Sequence, residues 1–66
     1  MKKVFVFNGK LFDKESIEEK TNDELFDLQF LHPTDAYFFN CEEKYQHALN
    51  NKMLFDDNIV IFIDAI

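Results

Sequence analysis

Residues 3–7 read Lys-Val-Phe-Val-Phe, and Asn8-Gly9 follow directly. β-Branched and aromatic residues favour an extended strand. Asn-Gly suits the two central positions of a type I′ turn, which joins two adjacent antiparallel strands. The pattern therefore predicts a β-hairpin, with residues 10–12 as a short return strand that ends at Asp13.

A capping-box pattern, Thr21 followed three residues later by Glu24, indicates the start of a helix. Leucines follow at three-residue spacing, which is typical of a helix with one apolar side. Pro33 disfavours helical backbone in the residue before it, so the helix must end close to that point. Together these signals predict a helix over residues 22–31.

Ser16 begins an earlier capping-box pattern, and it stays open whether that box starts a separate turn or one longer helix. If a helix runs unbroken from Ile17, then Glu19, Asp23 and Asp27 align at i, i+4 and i+8. Such a row of carboxylates could bind a basic protein surface or imitate nucleic-acid phosphates. The alternative is a solvated face that only keeps the protein soluble.

Two further strands and one further helix are predicted in the second half of the chain. Residues 36–39 form a short aromatic run whose length favours a strand. Asn40 is predicted to be the N-cap of the next helix. Residues 59–63 are continuously apolar, which predicts a strand covered on both faces and central in its sheet. The intervening helix carries apolar residues at helical spacing: Cys41, Tyr45, Ala48, Leu49 and Met53.

The predicted order is β-β-α-β-α-β, an α+β fold in which two helices cover a single-layer sheet of about four strands. At 66 residues the chain has room for one hydrophobic core, so residues 1–66 are expected to form one domain. Nine Phe and two Tyr are more aromatic surface than a body of this size can bury. Helices on one face would also leave the other sheet face open, and a homodimer is therefore expected.

The composition excludes several classes of function. Thirteen acidic residues against seven Lys, without any Arg, give a net charge of -6. This charge would repel a nucleic-acid backbone, so direct nucleic-acid binding is not expected. No apolar run approaches the roughly 20 residues that span a bilayer, so no membrane association is expected. A single cysteine suits a reducing compartment, and the expected location is the cytoplasm.

The sequence does not assemble a recognisable catalytic or metal site. Cys41 and His47 are six residues apart on the predicted helix, which rotates them about 120° from each other. Asp56 and Asp57 flank one end of the last predicted strand and Asp64 flanks the other, so they cannot share an ion. The chain has one glycine, too few for a phosphate-binding loop. Accordingly, no catalytic residue, cofactor or metal ion is expected.

The favoured hypothesis is a non-enzymatic protein-interaction module, acidic and rich in aromatic residues, that binds a protein partner or itself. One alternative is an acidic inhibitor that mimics nucleic acid. Another is a small-molecule binder or enzyme whose site forms at a subunit interface from Tyr37, Cys41, Tyr45 and the carboxylates near Asp56. The residues expected to contact a protein partner are Glu19, Asp23, Asp27, Tyr37 and Phe39.

Overall fold

The first strand of the chain lies at the centre of the sheet. A computed structural model describes residues 1–64 and places three antiparallel strands in the order β2-β1-β3. The elements in chain order are β1 (Lys2–Asn8), α1 (Lys14–Glu18), α2 (Asn22–Leu31), β2 (Ala36–Phe39), α3 (Glu42–Asn50) and β3 (Asn58–Asp64). The fold is therefore α+β with the order β-α-α-β-α-β, and within residues 1–64 it has three strands and three helices.

Side chains alternate between the two faces of the sheet because strand side chains have a period of two. Phe5 lies opposite Phe38 of β2 and Ile61 of β3, so these three side chains share one face. Val6 lies opposite Tyr37 and Val60 on the other face.

Helices cover both faces of the sheet, so the open face that helices on one side alone would have left is not present. On the first face, Phe5 and Phe7 pack with Ile17 of α1 and Leu25 of α2. On the second face, Val4 and Val6 pack with the buried ring of Tyr45 from α3. The sheet is thus the middle of three layers, and the condition under which an open sheet face would favour dimerisation is not met.

The predicted hairpin at Asn8-Gly9 does not form. Gly9 lacks the positive φ that a type I′ turn requires. Instead, the Asn8 carbonyl accepts hydrogen bonds from the N–H groups of Leu11 and Phe12, both at 3.0 Å, and the chain turns toward α1. Phe12 packs on Phe7 with ring centroids 5.4 Å apart. The segment is a turn that contributes one ring to the core, so the described sheet has three strands and not about four.

A break between α1 and α2 settles the question that the sequence left open. Asp13 is the N-cap of α1, and its Oδ2 accepts a hydrogen bond from the Ser16 N–H at 2.9 Å. The predicted cap at Ser16 is therefore wrong, because Ser16 lies inside that helix. For α2 the prediction is confirmed, since both bonds of the Thr21 and Glu24 capping box are present.

The second half of the chain matches the prediction in its elements but not in all their positions. Strand β2 has the predicted bounds, and β3 contains the predicted strand. The N-cap of α3 is Cys41 and not Asn40, and it makes no side-chain capping bond. Leu49 and Met53 are exposed, so only part of the predicted apolar stripe is buried. The predicted central position of the last strand is also wrong, because β1 occupies it.

Candidate protein-binding surface

Two phenylalanines one helical turn apart form the aromatic ridge of α2, which consists of Phe26 and Phe30. The ring of Phe26 lies 4.8 Å from the ring of Phe5 in an edge-to-face arrangement and 4.8 Å from the ring of Phe38. These contacts fix Phe26 against the sheet, although 39% of its surface stays exposed. Phe30 is 83% exposed. In the aromatic ridge, Phe26 is therefore held against the sheet, whereas the ring of Phe30 is largely exposed to solvent.

The helical period explains why Phe30 does not reach the core. Leu25 is buried, and Leu28 packs on the same core cluster, so these leucines mark the side of α2 that faces the sheet. At about 100° per residue, Phe30 lies about 140° around the helix from Leu25. Its ring therefore projects away from the sheet while Phe26, closer to the core side, still contacts it.

Two of the predicted interaction residues, Asp23 and Asp27, flank the aromatic ridge. Asp23 precedes Phe26 by three residues and Asp27 precedes Phe30 by three, a spacing that makes helical side chains neighbours. Both carboxylates are exposed. Because α2 contains no lysine, no residue of this helix neutralises them. The exposed rings therefore have two carboxylates beside them on the same helix.

Glu19, the third predicted carboxylate, lies outside α2. It is the C-cap of α1, and its N–H donates to the carbonyls of Glu15 and Ile17. The predicted row of Glu19, Asp23 and Asp27 required one unbroken helix, but α1 ends at Glu18 and α2 begins at Asn22. The condition for the alignment of three carboxylates is therefore not met, and only Asp23 and Asp27 share a helix.

The carboxylate of Glu24 is used within the helix terminus. The Thr21 N–H donates to Glu24 Oε1 at 3.0 Å, and Thr21 Oγ1 accepts a bond from the Glu24 N–H at 3.3 Å. Hydrogen bonds from the backbone and then the side chain of Thr21 hold the pKa of Glu24 below its usual range. Glu24 is therefore charged at neutral pH and engaged in capping α2.

Tyr37 and Phe39, the other two predicted residues, lie on the opposite face of the sheet. Tyr37 stacks on Phe55, with ring centroids 5.4 Å apart and planes 12° apart. Phe39 contacts Tyr45 edge-on at 6.0 Å. Both rings are half-buried beside a shallow cavity of about 160 Å³ under α3. The structure does not bring them together with the carboxylates of α2, so the five predicted residues do not form one continuous site.

An open groove of about 710 Å³ lies between the start of β1 and α3, and it includes Cys41 and His47 in its lining. The His47 ring lies 3.4 Å from the Asn51 side-chain amide, one turn further along the chain. Within residues 1–64, no group of three or more His, Cys, Asp or Glu side chains could hold a metal ion. The groove therefore supplies no arrangement that points to a particular reaction.

No protein-family model, no curated protein and no solved structure matches this chain. None of the helices in the described part of the chain is long and apolar enough to cross a bilayer.

The aromatic ridge was not among the features predicted from the sequence. The sequence does contain a sign of it, because Phe26 and Phe30 do not occupy the positions of the regularly spaced leucines on the helix. Their spacing also matches that of Asp23 and Asp27, at i and i+4. Exposed aromatic residues next to charged ones on one helix side are typical of a binding surface.

Proposed function

We propose that this chain is a protein-interaction module that binds a basic protein partner through the aromatic ridge and its flanking carboxylates. The observation that carries the proposal is the 83% exposure of Phe30 beside the anchored ring of Phe26. Asp23 and Asp27 border the same rings. This arrangement fits a partner that offers an apolar pocket with lysine or arginine residues at its rim.

Energetics support this surface as a binding site. Full burial of an exposed phenylalanine is worth about 1.5–3 kcal/mol, and aromatic side chains are enriched among residues that dominate binding energy. Charged residues at the rim contribute mainly to association rate and to the choice of partner. The net charge of -6 acts in the same direction, because it attracts basic surfaces and repels acidic ones.

The two alternative functions have less support from the described residues. A mimic of nucleic acid needs a continuous row of carboxylates, and the break between α1 and α2 interrupts that row. A site shared between subunits would use Tyr45, but this ring is buried in each copy against Val4 and Val6.

A titration with a peptide of defined charge tests the proposal. The probe is an amphipathic Leu-Lys helical peptide, added to isotopically labelled protein and followed by amide chemical shifts. We expect the largest shifts in α2, and we expect Phe30→Ala to weaken binding about tenfold, because the ring is buried in the complex. The Leu-Glu peptide of the same length should not bind.

Leu31→Ala is the matched control, because Leu31 is the next residue of the same helix, is apolar and is 69% exposed. About 100° of helical rotation separates it from Phe30. Equal losses from Phe30→Ala and Leu31→Ala, or shifts confined to other elements, would contradict the proposed site.

A further inference from the structure

Strand β3 has a free edge without the features that normally protect such an edge. β3 pairs with β1 on one side, and no described residue pairs with its other side. Natural edge strands are short, or carry charged side chains, proline or a bulge that prevents further pairing. β3 has seven residues in an unbroken register without proline, and its one charged residue, Asp64, lies at its last position. By contrast, the other edge strand, β2, has only four residues.

The backbone hydrogen bonds show which groups point outward from this edge. The Gly9 N–H donates to the Asp57 carbonyl at 3.0 Å, and these residues continue the β1 and β3 register. In an antiparallel pair, hydrogen-bonded and non-hydrogen-bonded residues alternate. Ile59, Ile61 and Ile63 therefore bond to β1. The residues whose backbone groups point to the free edge are Asn58, Val60, Phe62 and Asp64.

The bonding of β1 to its other neighbour agrees with this assignment. The Asn8 N–H donates to the Asp35 carbonyl at 3.0 Å, so the even-numbered residues of β1 bond toward β2. Its odd-numbered residues are left for β3, in agreement with the bond from Gly9. The hydrogen bonds on the two sides of β1 thus indicate independently that its even-numbered residues bond to β2 and its odd-numbered residues bond to β3.

We infer that β3 pairs with β3 of a second copy of this chain, antiparallel and about a two-fold axis at Ile61. Val60 then lies opposite Phe62 of the second copy, and Asn58 lies opposite Asp64 of the second copy. Every outward-pointing residue between Asn58 and Asp64 gains a hydrogen-bonded partner, while Ile61 faces its own equivalent. The two three-stranded sheets become one sheet of six strands.

The residue pattern of β3 selects this register. From Ile59 to Ile63 the strand is apolar, so pairing about its centre sets apolar side chains opposite one another. At the ends, the neutral amide of Asn58 meets the carboxylate of Asp64, which is a hydrogen-bonding combination without like charges. A register centred on Val60 would instead set Asp56 opposite Asp64 of the second copy, and like charges directly opposite are destabilising.

The pairing also continues both layers of helices. Residues opposite each other in this register have the same parity, so the α3 side of one sheet meets the α3 side of the other. Phe62, which is 45% exposed, would be covered from the side by Val60 of the second copy. The aromatic ridge stays free, because Phe26 contacts Phe38 on β2, at the opposite edge of the sheet. The inference therefore does not rest on the proposed function.

Backbone methylation at Phe62 tests the pairing, because it removes one outward N–H and keeps the aromatic ring. The 66-residue chain is made by chemical synthesis with and without the methyl group, and both forms are studied by sedimentation equilibrium. We expect the unmodified chain to form a dimer. We expect the methylated chain to dimerise about tenfold or more weakly, with an unchanged circular dichroism spectrum.

Amide hydrogen exchange provides a second test, because strand pairing protects alternate amides of β3, whereas a general apolar contact would not give this alternating pattern. On raising the protein concentration, protection should increase at Val60 and Phe62, whereas Ile59 and Ile61 should be protected at every concentration by β1. Phe30→Lys is the matched control for association through the aromatic ridge, and it should leave the dimer intact.

A monomer at all concentrations would overturn the inference. So would a dimer that survives methylation at Phe62, or one that is lost in Phe30→Lys. An assembly that grows beyond two copies through this edge would also overturn it, because two-fold pairing closes at a dimer.

Discussion

At Gly9 the chain leaves β1 so close to Asp57 that there is no room for a side chain. A Cβ at this position would overlap the Asp57 carbonyl oxygen, and it would also approach the Asp57 side chain at 3.3 Å. The Gly9 N–H donates to that same carbonyl oxygen. Glycine is therefore required here by the approach of two backbones and not by a left-handed conformation.

Replacing Gly9 by alanine should destabilise the protein, because the new methyl group forces Asp57 and the start of β3 away from β1. We expect Gly9→Ala to lower the free energy of unfolding by about 1–3 kcal/mol, the usual cost of overpacking. Urea denaturation followed by circular dichroism measures this. The control is Lys10→Ala at the exposed neighbouring position. A loss of similar size in both variants would contradict the steric explanation.

At the scale of single elements, the N-terminus of α1 provides a clear comparison between two candidate caps. Asp13 accepts the Ser16 N–H, whereas the Ser16 side chain lies within the helix. Asp13→Ala should therefore lower the free energy of unfolding by about 0.5–2 kcal/mol, the range for losing an N-cap. Ser16→Ala should change it by less than about 0.5 kcal/mol. Thermal denaturation of both variants distinguishes them, and the reverse order would assign the cap to Ser16.

Elements with strong local signals were predictable from the sequence, and elements that depend on distant contacts were not. The bounds of α2 follow from the capping box at Thr21 and from Pro33, which act within a few residues of the helix. The prediction of a hairpin at Asn8-Gly9 was wrong because the local preference for a turn does not determine which strands pair with β1. Both partners of β1 come from later in the chain, and they leave no place for residues 10–12.

At the scale of the whole molecule, stability depends on a core shared between the first strand and the helices. Phe5 is fully buried and contacts rings of α2 and β2. Phe5→Ala should cost about 3–5 kcal/mol. At about 0.05–0.15 kcal/mol per residue, a chain of this size has only about 3–10 kcal/mol in total. The loss is a large fraction of that total, so the midpoint of urea denaturation should fall sharply, as followed by the loss of dispersed amide signals.

Phe30→Ala is the control for this prediction, because it removes the same side chain from an exposed position. Its free energy of unfolding should stay within about 0.5 kcal/mol of the original protein. A comparable loss in the two variants would mean that the ridge contributes to folding, and its exposure would then not indicate binding.

The candidate site was predictable only in part, for reasons that belong to the whole fold. Charge and composition predicted that Asp23 and Asp27 are exposed, as acidic residues on a helix usually are, and both are exposed in the structure. Phe26 and Phe30 were missed, since the exposure of a ring depends on how far the helix is rotated against the sheet. Tyr37 and Phe39 were expected to contact a partner, and the alternation of β2 and its pairing with β1 place them on the face opposite α2.

The central position of β1 has a consequence for synthesis of the protein. β1 is made first, but its seven-residue partner β3 begins only at Asn58. Ribosomes add about 5–20 residues per second. Several seconds therefore pass between the synthesis of the apolar residues Val4 to Phe7 and the synthesis of the strand that completes their sheet. Apolar residues that stay uncovered during synthesis are prone to aggregation, so a slower rate of translation should increase that risk.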